Sequence, residues 1–326
     1  MTCTDGAIVA HEVMEQGWSA EALAKLDWTD LAPARPCPRD GVRHEQGFLA
    51  GHGGLELYWQ SWEATDSGKR RGRVLLQHGY GEHSARYEHV GVALVRAGYD
   101  VMALDARGHG KSAGVPAHAA RYDEYVDDLE LAKAALEARW DAERGPLYVL
   151  GHSNGGLIAL RAMLRGWSGV AGYVVTSPMC GFAVQVPAWK RIAGDVMSKI
   201  WPTFALPTDL PPEHLTHDTH VVKAYAEDPL VRKVATARWF TEAKSAQADL
   251  MARAGQIKQP VLMCIAGSDQ IVSPGAEEAV FAKIGSPDKT KQTYPALYHE
   301  LLNEPDWPGI LRAIILWMEA RRGGVA

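Results

Sequence analysis

Cysteine is scarce in this sequence: Cys3, Cys37, Cys180 and Cys264 are the four in 326 residues, and none belongs to a C-x-x-C pair. That scatter excludes a zinc ribbon and a disulfide framework, and it predicts a reducing compartment. Charge of one sign is lacking too. Lys and Arg number 34 against 39 Asp and Glu, a net charge of −5 with no long block of either sign. A nucleic-acid partner would need a basic face to neutralise phosphates, so none is expected. Long apolar runs are missing as well. Ile310–Met318 is interrupted by Arg312 and falls far short of the ~20 residues a bilayer span requires. Met1-Thr2-Cys3-Thr4-Asp5 has neither the basic nor the apolar region of a secretory signal. These absences predict a soluble cytoplasmic protein and leave peripheral contact with a membrane surface open.

The composition that remains is ordinary for a globular chain, 47% hydrophobic and 22% charged. Such a length buries a core without metal or disulfide staples. Residues 1–40 read as an N-terminal extension, a weak helical pattern at Ala20–Leu26 giving way to Pro33, Pro36 and Pro38. From Gly41 onward strands begin, with a hairpin over Gly47–Ala50 and Leu55–Trp62. Short apolar runs then alternate with helical patterns: Arg73–Gln77, His89–Ala97, Tyr99–Leu104, Tyr122–Trp140, Leu147–Leu150, Leu157–Arg165 and Val170–Thr176. Uninterrupted apolar strands in that rhythm predict an α/β fold, a mostly parallel sheet buried under helices on both faces. The rhythm stops at Ser177-Pro178, and no strand is expected until Val261–Ala266, after which Thr290–Tyr294 and the helix Ile310–Ala320 complete the sheet domain. The expected organisation is a core of residues 41–177 and 246–326 with an inserted cap of residues 178–245.

The strongest chemical signal is Gly151-His152-Ser153-Asn154-Gly155, set between a strand and a helix. G-x-S-x-G in that context is a nucleophile elbow, a strained turn that lifts the serine oxygen above the sheet. A serine hydroxyl needs a base to remove its proton, and around such an elbow the partners follow in the order Ser, acid, His. His299 is the one histidine beyond the resumed sheet strand. Asp269, in the Gly267-Ser268-Asp269 loop that closes Val261–Ala266, is the expected acid; Asp249 and Asp288 are alternatives that close no apolar strand. His78-Gly79-Tyr80-Gly81 follows the strand Arg73–Gln77, where an oxyanion hole takes one donor. The backbone N–H groups of Tyr80 and Asn154 are therefore the expected hole.

His78-Gly79-Tyr80-Gly81-Glu82-His83-Ser84-Ala85-Arg86-Tyr87, followed by Leu104-Asp105-Ala106-Arg107-Gly108-His109-Gly110-Lys111-Ser112, resembles the monoacylglycerol lipase and lysophospholipase branch of the α/β-hydrolases. The resemblance covers about residues 42–320. It implies a sheet of about eight strands with a helical cap inserted after the sixth, and the triad Ser153, Asp269 and His299. It also implies that Glu82 and Arg86 line a polar exit for the alcohol half of an ester, unless they form a structural ion pair. Two departures stand out: Asn154 replaces the usual Met after the nucleophile, which should alter the pocket wall, and residues 1–40 have no counterpart. On the cap, Trp189, Ile192, Ala193, Val196, Met197 and Ile200 form one apolar stripe at helical spacing. Met179, Phe182, Trp189, Ile192 and Val196 are the expected substrate wall, a role the stripe shares with packing on the core.

Gly108–Ser112 ends like a phosphate-binding loop but has Asp105 where the first glycine belongs. Asp105 and Arg107 read as turn-forming and structural. His214, His217, Asp218 and His220 imitate metal ligands, yet they fit better as the opening of a helix at Asp218. No cofactor and no metal are expected. The expected activity is hydrolysis of a lipid-like carboxylic ester, a monoacylglycerol or lysophospholipid, through an acyl-serine. A general carboxylesterase, another acyl hydrolase or acyltransferase using the same triad, and a non-catalytic lipid-binding relative are the alternatives.

Overall fold

The computed structural model describes residues 18–66, 68, 70–183, 188–208 and 210–322, and the side chains of 188–193 lie outside that description. The strands are β1 (Val42–Ala50), β2 (Glu56–Ala64), β3 (Gly72–Gln77), β4 (Tyr99–Leu104), β5 (Leu147–His152), β6 (Val170–Thr176), β7 (Ala205–Pro207), β8 (Val234–Thr236), β9 (Val261–Ala266) and β10 (Lys289–Tyr294). The helices are α1 (Ala20–Ala24), α2 (Glu88–Arg96), α3 (Asp123–Arg139), α4 (Asn154–Leu164), α5 (Ala188–Ile200), α6 (Thr219–Glu227), α7 (Ala237–Arg253), α8 (Pro274–Lys283) and α9 (Trp307–Glu319). Eight strands form one sheet in the order β1-β2-β4-β3-β5-β6-β9-β10. Strand β2 is antiparallel to both of its neighbours, and every other pairing is parallel.

The central strands carry apolar residues without alternation because both of their faces are covered. Successive side chains point to opposite sides, so Leu75, Val149 and Met263 pack with Leu129, Leu157 and Leu250 of α3, α4 and α7. Their neighbours Val74, Leu150 and Leu262 pack with Val90 and Ile314 of α2 and α9 on the other face. Each such side chain contributes about 1.5–3 kcal/mol when fully buried. A parallel sheet also brings the carboxyl ends of its strands to one rim. The loops after β3, β5, β9 and β10 meet there, and they carry Tyr80, Ser153, Asp269 and His299.

Two regions differ from expectation. The first is the end of the extension, which is docked rather than merely tethered. Leu23, Trp28 and Leu31 are buried. Trp28 stacks on Trp307 with ring centroids 5.9 Å apart, and the Arg312 guanidinium lies over the same indole. The second lies in the segment between β6 and β9, which contains a strand pair, β7 antiparallel to β8. Three residues per strand are too few to give a period-two signal. The segment is tied together where the Ser198 hydroxyl on α5 meets that of Thr241 on α7 at 2.8 Å. Asp218 caps α6, its carboxylate accepting from the His220 and Val221 N–H groups.

Candidate active site

The site is built from four loops, and its sharpest feature is Ser153. β5 ends at His152, α4 begins at Asn154, and the serine between them holds φ 51° and ψ −114°. A non-glycine residue adopts that conformation only where its surroundings impose it. Here the constraint is close backbone approach. A Cβ on Gly151 would run into the Gly155 carbonyl, and one on Gly155 into the carbonyls of Gln77 and His78. The turn is therefore open only to glycine at both flanks, and it presents the serine oxygen to the rim.

His299 and Asp269 complete a relay. The His299 ring lies 2.9 Å from Ser153 Oγ through Nε2 and 2.6 Å from Asp269 Oδ2 through Nδ1. Asp269 Oδ1 accepts from the Ile271 and Val272 N–H groups at 2.7 and 3.0 Å. An ionised carboxylate only accepts, so Nδ1 carries the imidazole proton and Nε2 is left to accept from the serine hydroxyl. The Ser177 hydroxyl donates to the His299 carbonyl at 2.8 Å and pins the loop. All three relay side chains are buried. Burial alone would push the His299 pKa down, but the Asp269 charge and hydrogen bond outweigh it and hold the imidazole above its ordinary value. Burial would likewise raise Asp269; the His299 charge and hydrogen bond, with the two backbone donors, hold it below the ordinary carboxylate range.

Beside the serine, neither the Tyr80 N–H nor the Asn154 N–H donates to another group among the described residues. Asn154 opens an eleven-residue helix, whose N-terminus favours negative charge. The Asn154 side chain does not reach the pocket wall, contrary to expectation. It is buried and accepts from the Tyr122 hydroxyl at 2.7 Å, so the exchange of Met for Asn is absorbed by the core.

Above the relay lies a cavity of about 820 Å³ whose floor includes Ser153 and His299. Met179 and Phe182 line it, as does Met197 of the apolar stripe, together with Phe204, Trp239 and Phe240, which were not expected in the wall. Accumulated aromatics in the cap were the available signal for Phe204. Val196 is not in the wall: it is 47% exposed, because α5 meets the cavity through Gly194 and Met197 and turns Val196 and Ile200 outward. The side chains of Trp189 and Ile192 lie outside the described residues.

Glu82 lines the cavity and Arg86 does not. Arg86 sits behind it as an ion pair, donating to Glu82 Oε2 at 2.6 Å and in bidentate fashion to Glu300 at 2.6 and 2.7 Å. Glu82 also accepts from the Gly79 N–H and the Tyr87 hydroxyl. Burial would raise its pKa, yet the Arg86 charge, aided by nearby histidines, brings it down to about 2. Glu300 completes this pairing and reaches the cavity. Its position directly after His299 was the only hint in the sequence.

A family model described as serine aminopeptidase, S33, matches residues 68–306. The chain belongs to that family. This S33-family chain is 31% identical over 278 residues to a monoacylglycerol lipase of Mycolicibacterium smegmatis, covering 85% of itself and 97% of that protein. It is 32% identical over 253 residues to an uncharacterized abhydrolase domain-containing protein of Dictyostelium discoideum, covering 76% of itself but only 26% of that much longer relative. Among solved structures, the S33-family chain matches Paleococcus ferrophilus monoacylglycerol lipase with a TM-score of 0.71 at 27% identity, over 86% of this chain and 99% of that one. A soluble variant of Saccharomyces cerevisiae monoglyceride lipase, in complex with a substrate analog, superposes with a TM-score of 0.77 over 91% and 98%; at 21% identity that likeness concerns the fold. The S33-family chain thus has the α/β-hydrolase architecture and stands in its monoacylglycerol lipase branch.

Proposed function

We propose that this protein hydrolyses monoacylglycerol-type esters through an acyl-serine formed on Ser153. The observation that carries the reading is the Ser153–His299–Asp269 relay opening into a largely apolar cavity. His299 Nε2 takes the hydroxyl proton as Ser153 Oγ bonds to the ester carbonyl carbon. The oxyanion is received by the Tyr80 and Asn154 N–H groups, worth about 3–4 kcal/mol for each donor lost. Asp269 stabilises the imidazolium that forms. As the C–O bond breaks, His299 returns the proton to the departing alcohol. A water then attacks the acyl-enzyme with His299 again as base. Each acyl methylene buried in the cavity adds about 0.8 kcal/mol of binding.

The headgroup chemistry favours a neutral alcohol over a phosphate. No Lys or Arg is found among the described residues that line the cavity, whereas Glu82 and Glu300 do line it, and the one Arg86 guanidinium behind them leaves this pair of carboxylates with an excess of negative charge. Like charges brought together at a buried site cost several kcal/mol. We further propose that the cap meets a lipid surface, because Val196, Ile200, Trp201 and Leu206 are all exposed on it and Leu206 also lines the cavity. The test is one panel of monoacylglycerols, lysophosphatidic acids of matched chain length, short soluble esters and anilides, assayed in solution and in neutral vesicles. The expected result is a kcat/KM about 10- to 100-fold higher for the monoacylglycerol than for the phosphate ester, with vesicle-borne substrate turned over faster than dissolved substrate. Equal rates for the two headgroups would remove the neutral-alcohol assignment, anilides as the best substrates would remove the ester assignment, and indifference to vesicles would remove the surface contact.

The relay also sets the pH profile. Catalysis needs neutral His299, whose pKa is raised above 6.5 in the fold. Activity should therefore climb with pH through one ionisation lying above 6.5. The stability link runs the other way. A raised His299 pKa stabilises the fold fully below 6.5 and loses that contribution as pH climbs through the folded value. The lowered Asp269 pKa stabilises above 3.8 and is lost as pH falls through its folded value. The working enzyme thus sits where the histidine no longer adds stability. A kcat/KM profile that is flat across neutral pH, or whose acid limb lies below 6.5, would contradict this assignment.

A further inference from the structure

In the hydrolase reading Tyr80 contributes only its backbone N–H, yet its side chain reaches out of the loop and into the cap. The ring stacks on Trp239 of α7 with centroids 3.5 Å apart and planes inclined by 23°. The hydroxyl lies 3.0 Å from the Ala117 carbonyl and 3.1 Å from that of Val234 on β8. One residue on, the Gly81 carbonyl accepts from the Arg232 N–H at 2.7 Å. Gly81 holds φ 80°, and a Cβ there would crowd the Arg232 carbonyl. The other side of the same loop is fixed to the core, where the Gly79 N–H donates to Glu82 at 2.6 Å. The peptide that presents the Tyr80 N–H is thus clamped between a core carboxylate and a stretch of the cap running from Arg232 to Trp239.

That stretch is also part of the cavity. Ala235, Thr236, Ala237 and Trp239 line it, and β8 pairs with β7, whose Leu206 and Pro207 line it too. The Thr236 hydroxyl caps α7 by accepting from the Trp239 N–H at 3.3 Å. The group on which Tyr80 stacks is therefore held by the first turn of the helix that forms the cavity wall. A shift of this wall relative to the core would break the Tyr80 hydroxyl contact to Val234, while that to Ala117 on the core could persist, and would slide its ring. The N–H at the base of that ring would then lose its aim. Oxyanion donors act through alignment, so a small displacement carries a large rate cost.

We propose that Tyr80 is a positioning residue that couples the oxyanion hole to the cap, so that the hole donor is aligned only while the cap wall is docked. This rests on the hydrolase reading above and adds a route by which filling the cavity controls the chemistry. Tyr80→Phe keeps the ring on Trp239 and removes the hydroxyl contact; Trp239→Leu removes the stack from the cap side. Both variants are assayed with a soluble short-chain ester, with active sites counted by fluorophosphonate titration, and with a boronic acid that forms a tetrahedral adduct on Ser153. Each substitution should lower kcat per titrated site about tenfold and weaken the boronate by the same factor, while KM stays within about twofold for Tyr80→Phe, whose ring remains in the cavity wall. The double variant should fall little below the worse single one, since both act through the placement of one side chain, that of Tyr80. A purely structural role would change the number of titratable sites or the melting temperature and leave kcat per site intact. Wild-type kcat per site in Tyr80→Phe, boronate affinity that does not follow kcat, or additive losses in the double variant would each overturn the coupling. If Ser153→Ala is inactive while Tyr80→Phe turns over normally, the coupling alone fails. If Ser153→Ala remains active, the hydrolase reading fails and the coupling falls with it.

Discussion

Ser153→Ala is expected to lower kcat on any ester substrate by roughly 10⁵-fold or more, to abolish fluorophosphonate labelling, and to leave the protein folded. The size of the loss follows from the chemistry, since no other hydroxyl or thiol occupies the elbow and water must then attack without an acyl-enzyme. The mildness toward the fold follows from the geometry. Among the described residues the Ser153 hydroxyl makes one hydrogen bond, to His299, and removing it costs about 0.5–1.5 kcal/mol. Alanine meets the same backbone strain at φ 51°, and the chain already places Ala34 and Ala117 at positive φ. A melting-temperature change of about 2–4 °C at most should accompany the loss of turnover. Substantial hydrolysis by the variant, or persistent labelling at another residue, would mean that the nucleophile lies elsewhere.

The residues of the relay were legible because each is fixed by a rule that acts locally. The elbow announces itself through Gly151 and Gly155, where no side chain fits, and through the strand and helix on either side. Asp269 follows a six-residue apolar strand, and His299 is the sole histidine beyond it. What escaped the sequence depends on which distant surfaces meet. The stripe on α5 showed that one face is apolar but not that Gly194 and Met197, rather than Val196, would turn toward the cavity. Arg86 has two acidic partners, and the second, Glu300, stands 214 residues away, a pairing that no spacing rule reaches. Asn154 was expected to change the pocket because the elbow of the branch it resembles usually has Met there; only the position of Tyr122 draws it into the core. Trp28 is one aromatic in a proline-rich stretch until Trp307 and Arg312 are placed against it. The short pair β7 and β8 was invisible for the same reason, since three residues carry no periodicity and their pairing is set by the cap around them.

Asp269→Asn should reduce kcat by about 10⁴-fold without unfolding the protein, and the structure determines why an isosteric amide is so poor a substitute. Asp269 Oδ1 receives two backbone N–H groups, from Ile271 and Val272. An asparagine at this position must keep its carbonyl oxygen there, because its NH₂ would otherwise face two donors. The NH₂ is then aimed at His299 Nδ1, which has to accept, and the imidazole proton moves to Nε2. In that tautomer the ring donates to Ser153 Oγ across 2.9 Å and cannot take its proton. The charge is lost as well. With the anion gone, burial dominates and the His299 pKa falls, so residual activity should rise with pH at a lower pH than in the native enzyme. Glu277 cannot stand in for the missing carboxylate. Its side chain is buried, neither oxygen has a hydrogen-bond partner among the described residues, and burial, the larger cause of its raised pKa, persists when the Asp269 charge is removed. The measurement is kcat across pH for the native and variant enzymes, with thermal unfolding as the control. Activity within tenfold of native, or an acid limb that does not move, would show that the histidine takes its orientation from another group.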